Sequence, residues 1–175
     1  MFLGRSGPDT QRKLSDSFSK LGIALQYAGA AVMWAWPRPL FSPWAGITLL
    51  RTVVPIVAVI LAAGSVYFSW TALKTLGRQW SFVAAVTAGH RLVQEGPYSV
   101  IRHPLYVCFF GLTLATGMVW TRPAGFLAAA VLFWIGVLIR VRSEEKILRE
   151  TFGPEFQEYR RRVPAYLPLS FGREK

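Results

Sequence analysis

Long uncharged apolar stretches dominate this chain and predict membrane-spanning helices. A helix needs about 17–25 mostly apolar residues to cross a bilayer. Four stretches without Lys, Arg, Asp or Glu reach that length, at residues 21–37, 52–73, 104–121 and 123–139. A further uncharged stretch, 39–50, is too short and contains Pro43, so we interpret it as an interfacial or re-entrant connection. The pattern predicts an all-α membrane protein with about four transmembrane helices.

The fourth stretch has no clean end. Its apolar pattern runs directly into the charged residues 140–148, so we predict one helix that leaves the membrane near Arg140 and continues in water to Phe152. Gly153-Pro154 is expected to end that helix, because proline cannot continue it and glycine tolerates the required turn. A short helix from about Glu155 to Arg162 should follow.

Polar and apolar segments alternate in a way that suggests four parts. We divide the chain into a polar N-terminal arm (1–20), a hairpin of the first two spans (21–73), a core with the other two spans (74–168) and a tail (169–175). Small residues in the first two spans, at 28–31 and 62–65, suit close helix packing. Residues 77–103 are too polar to span a membrane, and Gly, His, Arg and aromatic residues concentrate there, so we expect the chemistry in the core.

Composition and charge narrow the class of protein. Of 175 residues, 53% are hydrophobic and 17% are charged, whereas ordinary soluble domains carry about 25% charged residues. The apolar content excludes a disordered chain, and the shortage of polar surface argues against a nucleic-acid binder despite a net charge of +11. The single cysteine, Cys108, excludes a disulfide framework and a cysteine-based zinc site.

The basic residues also predict an orientation. With four spans, 17 of the 20 Lys and Arg residues lie on one side of the membrane and 3 on the other. Cytoplasmic segments carry the positive excess, so both termini should be cytoplasmic, in the inner membrane if the source is bacterial. Most tryptophans fall near predicted span ends, as an aromatic belt requires.

A candidate anion site lies where the third span begins. Pro104 takes the first helical position, where no amide hydrogen bond is lost. The free N–H groups and positive dipole end of that helix favour anions, and Arg102 and His103 add donors. Tyr98 and Tyr106 add aromatic faces, so the site suits a carboxylate or phosphate beside a stacked ring. In the alternative interpretation, Arg102 and His103 only snorkel to lipid headgroups.

A second candidate site lies where the fourth span leaves the membrane. Arg140 and Glu144 are four residues apart and share a helix face. Charges at that depth are costly unless they are paired, and they tend to be functional. Glu145 adds a second acid in a strongly basic region, so we favour a functional role over a surface salt bridge, which would contribute little.

The remaining polar motifs carry weaker signals. Residues 90–93 precede the turn at Gly96, and by themselves they indicate only packing or a short extended segment. The two histidines lack a spacing such as His-Glu-x-x-His, so we predict no metal site. Arg160–Arg162 lie beside the membrane, where basic residues favour contact with anionic lipids.

Taken together, the motifs resemble those of the isoprenylcysteine carboxyl methyltransferase family. They are Gly-Pro-Tyr at 96–98, Arg-His-Pro-x-Tyr at 102–106, Glu-Glu at 144–145 and Phe-Gly-x-x-Phe-x-x-Tyr at 152–159. The wider group includes phospholipid N-methyltransferases and small-thiol S-methyltransferases. The resemblance covers about residues 76–168. It implies a membrane methyltransferase that uses S-adenosylmethionine, and the orientation predicted from the basic residues places its active site on the cytoplasmic side.

The resemblance also implies roles for individual residues. The strip that lines the adenosine corresponds to His90, Arg91, Leu92 and Val93. The cofactor tyrosine corresponds to Tyr98, and the segment around the cofactor's amino-acid end to Arg102, His103, Pro104, Leu105 and Tyr106. Glu144 resembles the acid that binds the cofactor's ammonium, and Arg140 the residue that faces the methyl acceptor.

We hypothesise O-methylation of a carboxylate on a prenylated or other lipophilic acceptor that enters from the lipid. Arg140 would hold that carboxylate through its guanidinium fork. An ionised carboxylate needs no general base, whereas an amine acceptor would need one, with Glu145 or Glu144 as the candidate. The alternatives are phospholipid N-methylation, S-methylation of a small thiol, and a non-catalytic membrane scaffold with the same fold.

Overall fold

Five α-helices form the described part of the chain. The computed structural model describes residues 17–38, 48–77 and 91–166. The helices are α1 (Ser17–Ala35), α2 (Thr48–Leu76), α3 (Pro97–Val100), α4 (Pro104–Trp120) and α5 (Pro123–Arg162). Within these ranges there is no β-strand, only an isolated bridge between Pro37 and Thr121. The predicted all-α class is confirmed, while the polar arm up to residue 16, the connection at 39–47, His90 and the tail lie outside the described residues.

Two of the described helices are long and apolar enough to cross a membrane, namely α2 over Thr52–Leu76 and α5. Helix α4 is apolar but has 17 residues. Much of the surface of α2 is apolar, and its large exposed side chains include Ile56, Val59, Ile60 and Tyr67. An exposed apolar surface of this extent suits contact with lipid chains. The number of spans and the side of the termini remain predictions.

The described helices pair across the two halves of the chain. Helix α1 packs mainly along α5, α2 packs along α4, and α4 and α5 contact each other as a hairpin. Each of the first two described helices thus has a packing partner from the C-terminal half, while the hairpin of the first two spans stays a prediction. The boundaries of the four proposed parts stay a prediction.

Glycines allow α1 to lie directly against α5. A Cβ atom on Gly22 would come within 2.8 Å of the Gly136 carbonyl oxygen, and one on Gly29 within 2.9 Å of the Ala129 carbonyl oxygen. Without side chains at these positions the two backbones approach closely, which strengthens van der Waals packing between helices in a membrane. The contact brings the middle of α1 to Arg140, near the end of the predicted span.

Gly136→Ala should destabilise this contact. The added Cβ would lie 2.6 Å from the Gly22 carbonyl oxygen, and overpacking of this kind costs about 1–3 kcal/mol. Gly64→Ala is the matched control, since nothing lies within 4 Å of its added Cβ and alanine is the better helix former by about 1 kcal/mol. Thermal unfolding in detergent should show a lower midpoint for Gly136→Ala and an unchanged or higher one for Gly64→Ala. Equal midpoints for the two variants would contradict the close packing.

The long helix breaks where the sequence predicts it. Gly153 has φ 48° and ψ −118°, a left-handed conformation that interrupts α5, and Pro154 begins the segment that continues to Arg162. Phe156, Tyr159 and Val163 form a buried cluster that also contacts Leu92, Leu148 and Phe152. The break thus lets the last nine residues of α5 fold back toward the segment that precedes α3.

Candidate functional site

Tyr106 joins the two candidate motifs. Its hydroxyl donates a hydrogen bond to Glu144 Oε1, and the Arg140 guanidinium carbon lies 5.1 Å from the centroid of its ring. Gln26 of α1 accepts a hydrogen bond from Arg140 Nη1 at 3.3 Å. The start of α4 and the turn of α5 around residues 140–144 therefore meet at one cluster, which contains an acid, a cation and an aromatic ring.

His103 lies between the two acids. Its Nε2 is 3.3 Å from Glu145 Oε1 and its Nδ1 is 3.6 Å from Glu144 Oε2, and the residue is only 6% exposed. Both ring nitrogens therefore lie near protein carboxylates. The imidazole thus links Glu144 and Glu145, and the role of His103 as a donor to a bound anion stays a prediction.

Arg102 is part of an internal ion pair. Its Nε and Nη2 donate to Glu145 Oε1 at 3.0 Å and 2.6 Å, and its Nη1 donates to the carbonyl oxygens of Arg160, at 3.1 Å, and Val163. The side chain is only 7% exposed. Snorkelling to lipid headgroups is therefore wrong for Arg102. A direct role in binding an anion is also unsupported, because all three of its nitrogens already donate to the protein.

Glu145 is held as a carboxylate. Burial by itself would raise its pKa, but hydrogen bonds from His103 and Arg102, together with their charges, lower the pKa to about 2. A group that binds a proton so weakly is a poor general base at neutral pH. A low pKa is unfavourable for the role of Glu145 as the base for an amine acceptor, and that role stays a prediction.

The low pKa of Glu145 predicts how its contribution to stability depends on pH. The pKa falls from an ordinary 4.5 to about 2 in the fold, so the stabilisation is fully present above the ordinary value and is lost as the pH falls through the folded one. The difference in unfolding free energy between the wild type and Glu145→Gln should be constant from about pH 7 to 5.5 and shrink toward pH 2. Denaturation at several pH values would measure it, with the exposed Glu150→Gln as control. A difference that grew on acidification would contradict the ion pair.

Tyr98 occupies the start of α3 beside the same acids. Its ring is buried with Ala72 and Val93, and its carbonyl oxygen accepts a hydrogen bond from the Tyr159 hydroxyl at 2.6 Å. Burial raises the pKa of Tyr98, and the charges of Tyr159 and Glu144 raise it further. Tyr98 is therefore a neutral phenol in the neighbourhood of Glu144.

The predicted adenosine strip divides between core and surface. Val93 packs with Tyr98, and Leu92 contacts the cluster around Phe156. Arg91 is exposed and forms an ion pair with Glu95 at 3.5 Å. The two apolar residues thus belong to the packed clusters around Tyr98 and Phe156, while the Arg91 side chain is exposed.

The beginning of α4 keeps the geometry of an anion site. Pro104 is the first residue of the helix, and His103 precedes it without a side-chain cap. Leu105 contacts the cluster around Tyr98. The N–H groups of the first turn remain the donors that the sequence predicts here.

Sequence reasoning missed two neighbours of the site, the aromatic Tyr166 and the polar Gln26. The Tyr166 ring lies 6.3 Å from His103 and 5.0 Å from Trp134 between ring centroids, and Gln26 contacts Arg140. Gln26 is a polar residue within an uncharged stretch, which is a signal that could have been noted. Tyr166 has no comparable signal, since only the fold-back after Gly153 brings it to the site.

The segment that contains Tyr106, Arg140 and Glu144 also matches a known protein family. Residues 56–150 match the isoprenylcysteine carboxyl methyltransferase (ICMT) family, a range that includes both candidate motifs. The chain belongs to the ICMT family. Among the described residues of the ICMT-family segment, no group of three or more His, Cys, Asp or Glu side chains is arranged to hold a metal ion.

The curated relatives include proteins named isoprenylcysteine O-methyltransferases and a protein named for metal resistance. Protein-S-isoprenylcysteine O-methyltransferase B of Arabidopsis thaliana is 34% identical over 101 residues, which cover 57% of this chain and 51% of that protein. The corresponding Saccharomyces cerevisiae enzyme is 32% identical over 124 residues, 70% of this chain and 51% of that one. Cobalt-zinc-cadmium resistance protein CzcN of Cupriavidus metallidurans is 38% identical over 97 residues, 55% of this chain and 44% of that one. The chain spans about half the length of the curated relatives it matches.

Proposed function

We propose that this ICMT-family protein is an integral membrane methyltransferase that uses S-adenosylmethionine to O-methylate a carboxylate on an isoprenylated or other lipophilic acceptor. One observation carries the proposal. Tyr106 connects the Glu144 carboxylate and the Arg140 guanidinium at the point where the apolar part of α5 gives way to its charged extension. Groups for a cationic cofactor and for an anionic acceptor thus lie side by side at the edge of the predicted span.

The donor set fits the cofactor. Glu144 is 24% exposed at its side chain, so its charge is accessible to an ammonium group. Tyr106 adds an aromatic ring beside Glu144, and aromatic rings attract cations such as a sulfonium. The uncapped start of α4 suits the amino-acid carboxylate. Bound among these groups, S-adenosylmethionine would supply an electrophilic methyl group.

The remaining residues fit a carboxylate acceptor. Arg140 can hold and orient a carboxylate with its planar fork. Such an acceptor is already ionised at neutral pH, so the reaction needs positioning and the exclusion of water rather than a proton acceptor. The strongly acidic character of Glu145 is compatible with this chemistry and unfavourable for an amine acceptor.

The arrangement in the membrane is part of the proposal. We place four spans with both termini and the site on the cytoplasmic side, so that the cofactor enters from the cytosol and the acceptor from the lipid. The 17-to-3 distribution of basic residues supports this orientation. Arg160–Arg162 are all exposed, and basic residues at a membrane surface attract anionic lipids.

A methyl-transfer assay tests the proposal. The purified protein in lipid nanodiscs would be incubated with an S-farnesylcysteine analogue and S-adenosylmethionine labelled in the methyl group. We expect label in a methyl ester, which releases methanol in base. Base-stable label in lipid or in a small thiol would replace the proposed acceptor with one of the alternatives. A folded protein that neither transfers label nor binds the cofactor would indicate a scaffold.

A further inference from the structure

The last described residues of the chain, 160–166, lie along the loop that precedes α4, and we call this segment the C-terminal strap. We propose that Glu145 is a positioning residue that acts through Arg102 to lock the strap beside the acid cluster, and that the locked strap is needed for tight cofactor binding. The inference about the cofactor rests on the proposed function, whereas the inference about the strap does not.

Hydrogen bonds from one loop hold the strap. The backbone N–H of Arg102 donates to the Pro164 carbonyl oxygen at 2.9 Å, and that of His103 donates to the Ala165 carbonyl oxygen at 3.1 Å. The Arg102 side chain adds bonds to the carbonyl oxygens of Arg160 and Val163. Carbonyl groups at the end of a helix lack intrahelical partners, so the Arg102 guanidinium caps the end of α5 while it secures the strap.

Glu145 determines how Arg102 is oriented. Its Oε1 accepts from both Nε and Nη2 of Arg102, which leaves Nη1 directed at the strap. Arg160 supplies a second tie, with its Nε 3.7 Å from Glu145 Oε2. A guanidinium buried to this degree is costly without its counter-charge. Removal of the Glu145 charge should therefore release the Arg102 side chain and the carbonyl groups that it holds.

The strap ends next to the site. Tyr166 follows directly after the residue bound by the His103 N–H, and its ring lies between His103 and Trp134. It belongs to the aromatic surroundings of Tyr106, Val137 and Val141. A released strap would remove this ring from the acid cluster and open the cluster to water. The binding-competent form would then be only partly populated, which raises the apparent dissociation constant in proportion.

Two adjacent acids provide a matched pair of variants. In Glu145→Gln, the amides of residues 102 and 103 should exchange hydrogen for deuterium at least about tenfold faster than in the wild type, while α2 keeps its protection. In Glu144→Gln the same amides should stay protected, because Glu144 makes no contact with the Arg102 side chain among the bonds described above. The measurement uses the full-length protein without cofactor in nanodiscs. Wild-type exchange at 102–103 in Glu145→Gln, or equal acceleration in every helix, would overturn the inference.

A double-mutant cycle separates positioning from general destabilisation. If Glu145 acts through Arg102, the exchange of the strap in the double variant Arg102→Gln/Glu145→Gln should be no faster than in the worse single variant. Glu145→Asp, which keeps the charge, should recover part of the protection. Additive effects in the double variant, or no recovery in Glu145→Asp, would mean that the two residues act independently.

Cofactor binding provides the functional readout. Glu145→Gln should raise the dissociation constant for S-adenosylmethionine about tenfold and leave turnover at saturating cofactor within about twofold, as expected when only the closed fraction changes. The exposed Glu150→Gln serves as control, since it makes the same substitution on the same helix outside the strap. An unchanged dissociation constant beside faster exchange would overturn the link to the cofactor. If the wild type bound no cofactor, the proposed function would fail. The hydrogen-exchange data would still test whether Glu145 holds the strap in place.

Discussion

Glu144→Gln should raise the dissociation constant for S-adenosylmethionine by about 10–100-fold, the largest effect on binding that we expect from a single substitution. A hydrogen bond to a charged group contributes about 1.5–3 kcal/mol, and each 1.4 kcal/mol is a factor of about ten in affinity. Glutamine keeps the size of the side chain and an oxygen that can accept from the Tyr106 hydroxyl. The loss therefore reports the negative charge opposite the cofactor's ammonium.

Calorimetry on the detergent-purified protein would measure this loss. Glu150→Gln is the control, because Glu150 is exposed on the same helix and lies outside the cluster. Glu144→Gln and Glu150→Gln remove the same charge from the chain, so a general electrostatic effect would change both. Wild-type affinity in Glu144→Gln would contradict the assignment of Glu144 to the cofactor.

Arg140→Ala should lower turnover by about 100–1,000-fold and change the dissociation constant of the cofactor by less than about threefold. Correct orientation of two reactants supplies a large part of a catalysed rate, and a bidentate guanidinium is the group that orients a carboxylate best. A group that acts only on the acceptor affects turnover rather than cofactor affinity. Arg140→Lys should retain part of the activity, since it keeps the charge and loses the planar fork.

Single-turnover methyl transfer with preloaded cofactor would isolate the Arg140 effect from binding. Arg142→Ala is the matched control, since Arg142 is exposed two residues further along α5. Should Arg140→Ala abolish cofactor binding instead, Arg140 would belong to the cofactor site, and its assignment to the acceptor would be wrong. A thermal melt of the same variant would check the contact of Arg140 with Gln26 and Tyr106.

Two consecutive glutamates have different surroundings in this structure. Glu144 accepts from Tyr106 and keeps an exposed edge, whereas Glu145 is buried among Arg102, His103 and Arg160. Successive helix positions are about 100° apart, so the two side chains necessarily leave the helix in different directions. In a motif of two adjacent acids, one carboxylate can thus be available to a ligand while the other forms ion pairs within the protein.

The helix α1 adds a residue from outside the segment that matches the family. Residues 56–150 carry the match, yet Gln26 of α1 contacts Arg140, and Gly22 and Gly136 bring the two helices together. Variation in α1 could therefore change the surroundings of the acceptor while the motifs for the cofactor stay the same.

Local pattern was sufficient to predict the helices and the break in α5. The apolar stretches correspond to α1, α2, α4 and the first part of α5, because an uncharged run of this length satisfies its backbone only as a helix in lipid. Gly153-Pro154 marked the break in the long helix because glycine tolerates a positive φ and proline cannot continue the helical hydrogen bonds. The motifs around His103 and Glu144 also identified the family correctly.

Only the tertiary structure decided which polar side chains bond to other groups of the protein. Arg102 and His103 read as donors for a ligand, but Glu145, more than 40 residues away, takes their hydrogen bonds. The choice of α5 as the partner of α1, and the return of Tyr166 to the site, depend in the same way on contacts between distant segments. A buried charge must find its counter-charge somewhere in the fold, and no local pattern of the sequence specifies which residue that will be.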